Sequence, residues 1–163
     1  MKGPIPDSYW IQPGRLCAGE YPGAPTPDAA RARLATILAS GVTAFVDLTE
    51  EDEGLLSYSD LLPPGIEYAR RPIRDLDCPT PQEMTGTLDA IDDLLERNQV
   101  PYIHCWGGIG RTGTVVGCWL IRHGATGPAA LAAIASLRAR TPDGGRRSPE
   151  TDAQVAFVNR WPR

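Results

Sequence analysis

Apolar residues recur at helical spacing in two long segments of the chain. Residues 80–99 open on a Thr-Pro-x-Glu capping box and continue with an amphipathic pattern. The apolar face of this segment consists of Leu88, Ile91, Leu94 and Leu95. Residues 127–140 repeat the spacing with Leu131, Ile134 and Leu137. Both segments are predicted to be helices that bury one side.

Three other helices are predicted from different signals. Residues 26–41 begin with Thr-Pro-Asp and end on a glycine, which are typical start and stop signals of a helix. Residues 111–124 are apolar on nearly every side, as expected of a helix buried in the middle of a fold. A last helix is expected from about Glu150 to Trp161, after a loop rich in glycine and proline.

Short apolar or β-branched runs lie between these helices and predict strands. They occur, after a Pro/Gly-rich arm, in residues 15–23, 42–48, 66–73 and 100–104. Strands that alternate with helices favour an α/β fold with a central, mostly parallel sheet of four to five strands flanked by helices. The 17 glycines and 16 prolines agree with short elements and many turns.

Composition limits the class of protein. The 163 residues are 42% hydrophobic and 22% charged, which predicts one globular domain spanning residues 1–163. The net charge of −4 argues against nucleic acid as a ligand, since binding to a phosphate backbone needs a basic face. No apolar run is long enough to cross a membrane, and the first residues lack the apolar segment of a signal peptide. A cytoplasmic protein is therefore expected, with no signal for an oligomeric state.

The four cysteines are scattered along the chain, and the sequence contains only two histidines. They form no Cys-x-x-Cys pair, so the sequence predicts neither a disulfide framework nor a zinc site, and no cofactor is expected. Cys17 and Cys118 are assigned to packing. At least one of the remaining thiols is a candidate for reactivity.

The stretch "HCWGGIGRTG", residues 104–113, supplies that candidate. It joins a predicted strand to the predicted buried helix, where ligands of open α/β sheets bind and where a helix N-terminus attracts anions. The three glycines, Gly107, Gly108 and Gly110, allow backbone N–H groups to converge on one point. The same partial charges stabilise a thiolate, so Cys105 is expected to be a nucleophile at neutral pH.

Other residues of this stretch have predicted roles around the cysteine. Arg111 carries a planar fork of donors that matches the oxygens of a phosphoryl group. Thr112 is positioned to donate its hydroxyl to the sulfur, and His104 to organise the loop through hydrogen bonds to its backbone. Trp106 either lines the pocket or packs behind the loop. The residues predicted to surround the substrate are Trp106, Gly107, Gly108, Ile109, Gly110 and Arg111.

The stretch resembles the His-Cys-x5-Arg-Thr/Ser signature of cysteine-dependent protein tyrosine and dual-specificity phosphatases, and its Gly-Gly-x-Gly-Arg run is similar to the compact dual-specificity branch. "PIRDLDCPTP" is similar to the family's mobile general-acid loop, with Asp75 at the position of the acid and Asp77 in reserve. The resemblance implies a phosphatase-like fold and a phosphocysteine intermediate. A positioned acid of this kind contributes roughly 10² to 10⁴ in rate, and no metal is required.

A third segment, "SPETDAQVAF", resembles the glutamine-bearing region that places the hydrolytic water in tyrosine-specific phosphatases. Gln154 fits the second glutamine of that pattern, whereas Glu150 stands where the first would be. Gln154 is alternatively the N3 partner of Thr151 in a capping box. The likeness extends over residues 15–157, nearly the whole chain.

The resulting prediction is a protein phosphatase that hydrolyses phosphotyrosine, with phosphoserine and phosphothreonine as further candidate substrates. Its expected partner is a phosphorylated protein. Two alternatives stay open: hydrolysis of an inositol phosphate, phosphoinositide or nucleotide, and binding of phosphorylated partners without turnover. Rhodanese-like sulfur transfer is less favoured, because of the Arg-Thr-Gly ending of the loop.

Arg70, Arg71 and Arg74 are a candidate basic rim, and Cys78 is either incidental or a redox partner of Cys105.

Overall fold

A computed structural model describes residues 2–162 of the chain. Within that range the strands are β1 (Ser8–Gln12), β2 (Leu16–Gly19), β3 (Ala44–Asp47), β4 (Glu67–Arg70) and β5 (Pro101–His104). The helices are α1 (Pro27–Ala39), α2 (Pro81–Glu96), α3 (Gly110–Arg122), α4 (Gly127–Arg138) and α5 (Asp152–Arg160), with a short 3-10 turn at Ser59–Leu61. The α/β fold expected from the sequence is confirmed.

The five strands form one sheet in the order β1-β2-β5-β3-β4. β5 lies in the centre and runs parallel to β2 and β3, and β4 runs parallel to β3. β1 pairs with β2 in antiparallel fashion and carries a register irregularity between Trp10 and Gln12. The sequence did not predict β1, because the prolines and glycines around it indicated an arm; the strand forms because it pairs with its neighbour across a tight hairpin.

Side chains that alternate along the central strands fill a separate core on each face of the sheet. Phe45 and Tyr102 face α1, where they pack with Leu34 and Ile37. Their neighbours Val46 and Ile103 face the other layer, which holds α2, α3, α4 and α5. α3 packs against the other three helices of that layer and is buried along most of its length, as its apolar pattern predicted. No helix of residues 2–162 is long and apolar enough to cross a membrane.

The parallel strands bring three loops to one edge of the sheet. The carboxyl end of β5 leads into the Cys-x5-Arg loop, that of β3 into the acidic segment that follows Thr49, and that of β4 into the loop of Asp75. Leu48 N donates to His104 O at 2.9 Å and Ile73 N donates to Leu48 O at 3.0 Å, so backbone hydrogen bonds connect the three segments that leave these strands. This edge is where ligands of open α/β sheets bind.

Candidate active site

The segment 105–109 forms a tight loop between β5 and α3. Gly108 has a φ of +69°, and a Cβ at this position would lie 2.6 Å from Glu20 N, so both backbone conformation and packing require glycine. Trp106 O accepts a hydrogen bond from Tyr21 N at 2.8 Å, and Ile109 O accepts one from Ser148 Oγ at 2.7 Å. The loop is therefore held through its carbonyl groups.

The N–H groups of the loop are left without partners. Among residues 2–162, no backbone N–H from Trp106 to Thr112 donates to another protein group, and no side chain caps the N-terminus of α3. Unpaired N–H groups at a helix N-terminus carry a partial positive charge and bind anions. The geometry of the loop therefore suits an anion with several oxygen atoms.

Cys105 lies at the base of this loop and is almost fully buried. Thr112 Oγ1 donates to its Sγ at 3.1 Å. The cysteine lines a cavity of about 430 Å³ together with Trp106, Gly107, Ile109, Gly110 and Arg111. The predicted loop residues thus surround one pocket, except Gly108, which faces β2 instead. Trp106 belongs to the pocket wall and does not pack behind the loop.

Arg111 is 2% exposed and is held from several sides. Its Nη1 and Nη2 donate to the two carboxylate oxygens of Glu53, with 3.0 Å for the Nη2 bond. Nη1 also donates to Ile73 O at 3.1 Å, and Nη2 lies 3.1 Å from Asp75 Oδ1. Nε is buried and has no partner within residues 2–162. A buried N–H without a partner is costly, and Arg111 is at the same time one of the residues that line the cavity of Cys105.

The Arg111–Glu53 pair is charged on both sides. Burial lowers the pKa of Arg111, but the hydrogen bond to Glu53 and the nearby charges of Cys105, Glu53 and Asp75 together outweigh burial and keep that pKa above its ordinary value. Burial likewise raises the pKa of Glu53, and the hydrogen bonds from Arg111 and Glu50 N together with the charge of Arg111 more than reverse this, so that pKa lies below its ordinary value. Glu53 therefore fixes the guanidinium through a bidentate ion pair.

His104 supports the loop from inside the core. Its Nδ1 lies 3.2 Å from Cys105 O and its Nε2 2.6 Å from the Tyr58 hydroxyl. Burial lowers the pKa of His104, and the nearby Asp47 offsets this only in part. The ring is thus neutral near pH 7. Because a carbonyl only accepts, Nδ1 carries the proton and Nε2 accepts from Tyr58.

Asp47 completes this buried group. Burial raises its pKa, but the neighbouring His104 and hydrogen bonds from the Thr49 amide, the Thr49 hydroxyl and the Tyr68 hydroxyl overcome that effect and bring the pKa below its ordinary value. A buried carboxylate with three donors is fully satisfied and rigid. It anchors the strand end from which the loop of Glu53 leaves.

Two aspartates were candidates for the general acid, and they differ in position. Asp75 lines the cavity with Cys105 and contacts Arg111. Asp77 is not among the residues that line this cavity; its carboxylate accepts from Cys78 N at 2.8 Å. The geometry favours Asp75.

The comparison with known protein families agrees with this arrangement. The family described as "Tc-R-P: Polymorphic toxin system, DSP-PTPase phosphatase" matches residues 22–125, well over half of the chain and including the whole Cys-x5-Arg loop. The chain belongs to this DSP-PTPase family.

The chain also resembles individual proteins, one in sequence and others in fold. A protein of Invertebrate iridescent virus 3 that is named as a tyrosine phosphatase, 067L, is 38% identical over 86 residues. That match covers 50% of this chain but only 35% of the viral protein, so the chain spans about a third of that relative's length. Tk-PTP in its active form has a TM-score of 0.71 at 25% identity, with 94% of each chain covered. Kinase associated phosphatase has a TM-score of 0.73 at 17% identity, covering 97% of this chain and 93% of its own, and shows the shared fold.

Gln154 has hydrogen-bond partners within the protein at both ends of its side-chain amide. Its Oε1 accepts from the N–H groups of Glu150 and Thr151 at 3.1 Å, and Thr151 Oγ1 accepts from Gln154 N, which makes the capping box of α5. Its Nε2 donates to Asp77 O at 3.1 Å. The side chain is not part of the cavity wall. It fastens the acid loop to α5, and the capping-box alternative describes it correctly.

The basic rim expected from Arg70, Arg71 and Arg74 is absent from the cavity wall among residues 2–162. Arg70 turns to Tyr68, whose hydroxyl accepts from its Nε at 3.2 Å, and lies 3.6 Å from the Asp47 carboxylate. Arg70 is the last residue of β4, and Arg71 and Arg74 lie in the loop that follows it. The second guanidinium of the cavity belongs to Arg146, which pairs with Glu150 at 2.8 Å.

Sequence reasoning missed Glu53 and Tyr58, which lie in a segment that was described only as acidic residues and turn formers. Each contacts a residue of the Cys-x5-Arg stretch that is far away in sequence: 58 positions for Glu53 and 46 for Tyr58. One signal was available. The segment follows β3, and parallel neighbours such as β3 and β5 open their carboxyl ends at the same edge of the sheet.

Replacing Glu53 with glutamine tests this support. The change removes the charge that balances buried Arg111, so we expect kcat/KM for a phosphomonoester to fall about tenfold and the free energy of unfolding by about 2 kcal/mol. Thermal denaturation and steady-state kinetics measure the two effects. Glu51→Gln is the matched control, because Glu51 is 95% exposed and lies 3.7 Å from Arg70. Equal behaviour of the two variants would remove Glu53 from the site.

Proposed function

We propose that this chain is a protein phosphatase that hydrolyses phosphotyrosine. Phosphoserine and phosphothreonine have shorter side chains, and they are substrates if their phosphoryl groups reach the cysteine. The observation that carries the proposal is the meeting of three residues in one cavity: Cys105 at the base of a loop with unpaired backbone amides, the guanidinium-bearing Arg111, and the carboxyl-bearing Asp75. This combination supplies a nucleophile, a binding site for phosphoryl oxygens and a proton donor.

The first chemical step transfers the phosphoryl group to the enzyme. Cys105 attacks phosphorus as a thiolate and forms a sulfur–phosphorus bond, while the bond from phosphorus to the leaving oxygen breaks. Protonated Asp75 gives its proton to that oxygen, so the alcohol or phenol leaves neutral. The loop N–H groups and Arg111 bind the oxygens of the phosphoryl group as charge develops on them.

The second step returns the enzyme to its starting state. Asp75, now a carboxylate, takes a proton from a water molecule that attacks phosphorus, and the sulfur–phosphorus bond breaks to release phosphate. The Thr112 hydroxyl, 3.1 Å from Sγ, donates a hydrogen bond to the departing thiolate. Asp75 is then protonated again for the next cycle.

The charges around the cavity favour a phosphoprotein over a ligand with several phosphates. Carboxylates outnumber guanidinium groups in the wall of the cavity. The carboxylates belong to Glu20, Asp75, Asp143 and Glu150, and the guanidinium groups belong to Arg111 and Arg146. Arg146 is moreover engaged by Asp143 at 3.2 Å and by Glu150. A second phosphate near the first would meet like charges, which costs several kcal/mol in a partly buried site. Inositol phosphates, phosphoinositides and nucleotides are therefore poorer substrates.

The alternative of binding without turnover keeps the anion site but needs no proton donor. Asp75 in the cavity argues against it. A structure of PTPMT1 in complex with PI(5)P, with a TM-score of 0.71 at 20% identity, shares the fold and shows that the same architecture accepts a lipid ligand in another protein. The substrate panel below therefore includes one.

Phosphate release from a panel of substrates tests the proposal. We expect turnover of a phosphotyrosine peptide and of para-nitrophenyl phosphate, unchanged by excess EDTA, and at least tenfold lower kcat/KM for a soluble phosphatidylinositol phosphate, inositol hexakisphosphate and a nucleotide. Release of inorganic phosphate is the measurement. Loss of activity in EDTA, or a preference for the polyphosphates, would overturn the mechanism or the substrate class, respectively.

The thiolate mechanism also points to a reducing compartment such as the cytoplasm. Cys17, Cys78, Cys105 and Cys118 are free thiols in this structure. Oxidising compartments convert accessible cysteines to disulfides or higher oxidation states, which destroys a nucleophile.

A further inference from the structure

A second cavity of about 480 Å³ adjoins the one that holds Cys105. The two share Trp106 and Glu20 in their walls. Trp106 follows the cysteine directly in sequence and lines both cavities. We call this second cavity the Trp106 subsite; its wall includes Tyr21, Pro25, Arg33, Leu56 and Trp106.

The apolar surface of the protein is concentrated at this place. Among residues 2–162, the large hydrophobic side chains that are exposed are Leu56 at 59%, Leu76 at 54% and Trp106 at 65%. Leu56 and Trp106 line the Trp106 subsite, and Leu76 and Trp106 line the cavity of Cys105. Grouped exposed apolar side chains mark binding surfaces, since single ones are scattered on ordinary surfaces.

Hydrogen bonds hold the wall of the Trp106 subsite in place. The Tyr21 hydroxyl donates to Leu56 O at 2.9 Å, and Tyr21 N donates to Trp106 O at 2.8 Å. Arg33 donates to Tyr21 O at 3.1 Å and forms an ion pair with Glu20 at 2.9 Å. A wall fixed in this way is formed before a ligand arrives, and its charged groups neutralise each other.

We propose that the Trp106 subsite binds an apolar side chain of the phosphoprotein substrate, located within about two residues of the phosphorylated one. The proposal rests on the proposed function and adds a sequence preference to it. Extended peptide advances about 3.3–3.6 Å per residue, so a neighbour in sequence reaches a cavity that shares a wall with the first. The occupant is apolar because Leu56 and Trp106 supply the exposed surface, while the Glu20–Arg33 pair leaves no free charge.

Peptide affinity tests the Trp106 subsite independently of turnover. Fluorescence anisotropy measures Kd of the Cys105→Ser protein for phosphotyrosine peptides that differ at one position, with leucine or serine two or one residues before or after the phosphotyrosine. We expect leucine at one of these positions to tighten binding about tenfold, or about 1.4 kcal/mol. Equal affinity across all positions would overturn the proposal.

Two variants locate the effect. In the Cys105→Ser background, Leu56→Ser is expected to reduce the tenfold preference to threefold or less. Leu76→Ser is the matched control. It removes a similarly exposed leucine that lines the cavity of Cys105 but not the Trp106 subsite, so the preference for a leucine-containing peptide should remain tenfold. A preference that survives Leu56→Ser, or that Leu76→Ser removes, contradicts the assignment.

Turnover separates this proposal from the proposed function. Para-nitrophenyl phosphate has no flanking residue, so its hydrolysis by the wild-type protein reports only on the catalytic groups. Hydrolysis without any leucine preference in the binding assay would refute the subsite and leave the phosphatase intact. A leucine preference without hydrolysis would support the subsite and refute the enzyme.

Discussion

Replacing Cys105 with serine is expected to abolish phosphate release, with kcat at least about 10⁴-fold lower for every phosphomonoester tested. The reason is that the substitution removes the thiol that forms the phosphocysteine intermediate. A serine hydroxyl keeps its proton at neutral pH, and His104 is not placed to remove it, because its ring nitrogens lie against Cys105 O and the Tyr58 hydroxyl. Release of phosphate from para-nitrophenyl phosphate is the measurement.

The same variant makes a second readout available. Rapid acid quenching of the wild-type protein with labelled substrate should trap phosphate on the polypeptide, whereas the Cys105→Ser protein should bind substrate and trap none. Cys78→Ser is the matched control, because it makes the same sulfur-to-oxygen change at a thiol outside the cavity and should leave kcat within about twofold. Activity that survives in Cys105→Ser would exclude the phosphocysteine mechanism altogether.

Substituting asparagine for Asp75 is the other change with a large expected effect. Asparagine keeps the size of the side chain but carries no transferable proton, so kcat for a phosphotyrosine peptide should fall roughly 10² to 10⁴-fold while KM changes little. The loss should be smaller for para-nitrophenyl phosphate, because para-nitrophenolate leaves without protonation far more readily than a tyrosine phenolate. This dependence on the leaving group distinguishes a lost acid from a distorted pocket.

Asp77→Asn provides the comparison for Asp75. Asp77 uses its carboxylate to cap Cys78 N within the same loop, so its replacement should disturb local structure without a leaving-group effect. The assignment of the acid is reversed if Asp77→Asn reproduces the leaving-group dependence and Asp75→Asn does not. A loss that is the same for both substrates in Asp75→Asn would give that residue a structural role through its contact with Arg111.

The residues that could be predicted from the sequence share one property: their signals are local. The strand, the loop and the helix that carry Cys105 and Arg111 follow one another directly in the sequence. The glycines, the apolar pattern and the six-residue spacing therefore define the loop without knowledge of the elements that pack around it. The same holds for α2, whose capping box and apolar face were read directly. The bounds of α5 needed only a small correction, from Glu150–Trp161 to Asp152–Arg160.

Predictions became wrong or incomplete where pairing or burial sets the outcome. β1 forms because β2 offers it an edge, although the prolines and glycines around it indicate an irregular arm. Arg70, Arg71 and Arg74 suggested a basic rim, yet Arg70 contacts Tyr68 and Asp47 instead. Gln154 resembled a residue that positions water, and the packing of α5 against the acid loop gives both ends of its amide other partners.

By itself the sequence determined the α/β class and the Cys-x5-Arg loop on a helix N-terminus, because short-range chain geometry and side-chain chemistry specify them. The candidate acid Asp75 came from the resemblance of its segment to the family's general-acid loop. Only the tertiary structure decided that Glu53 holds Arg111, that His104 is bonded to Tyr58, and that Trp106 lines two cavities. These contacts join residues tens of positions apart, and they depend on which strands are neighbours in the sheet. Strand order results from the packing of the whole chain, so it has no local signature in the sequence.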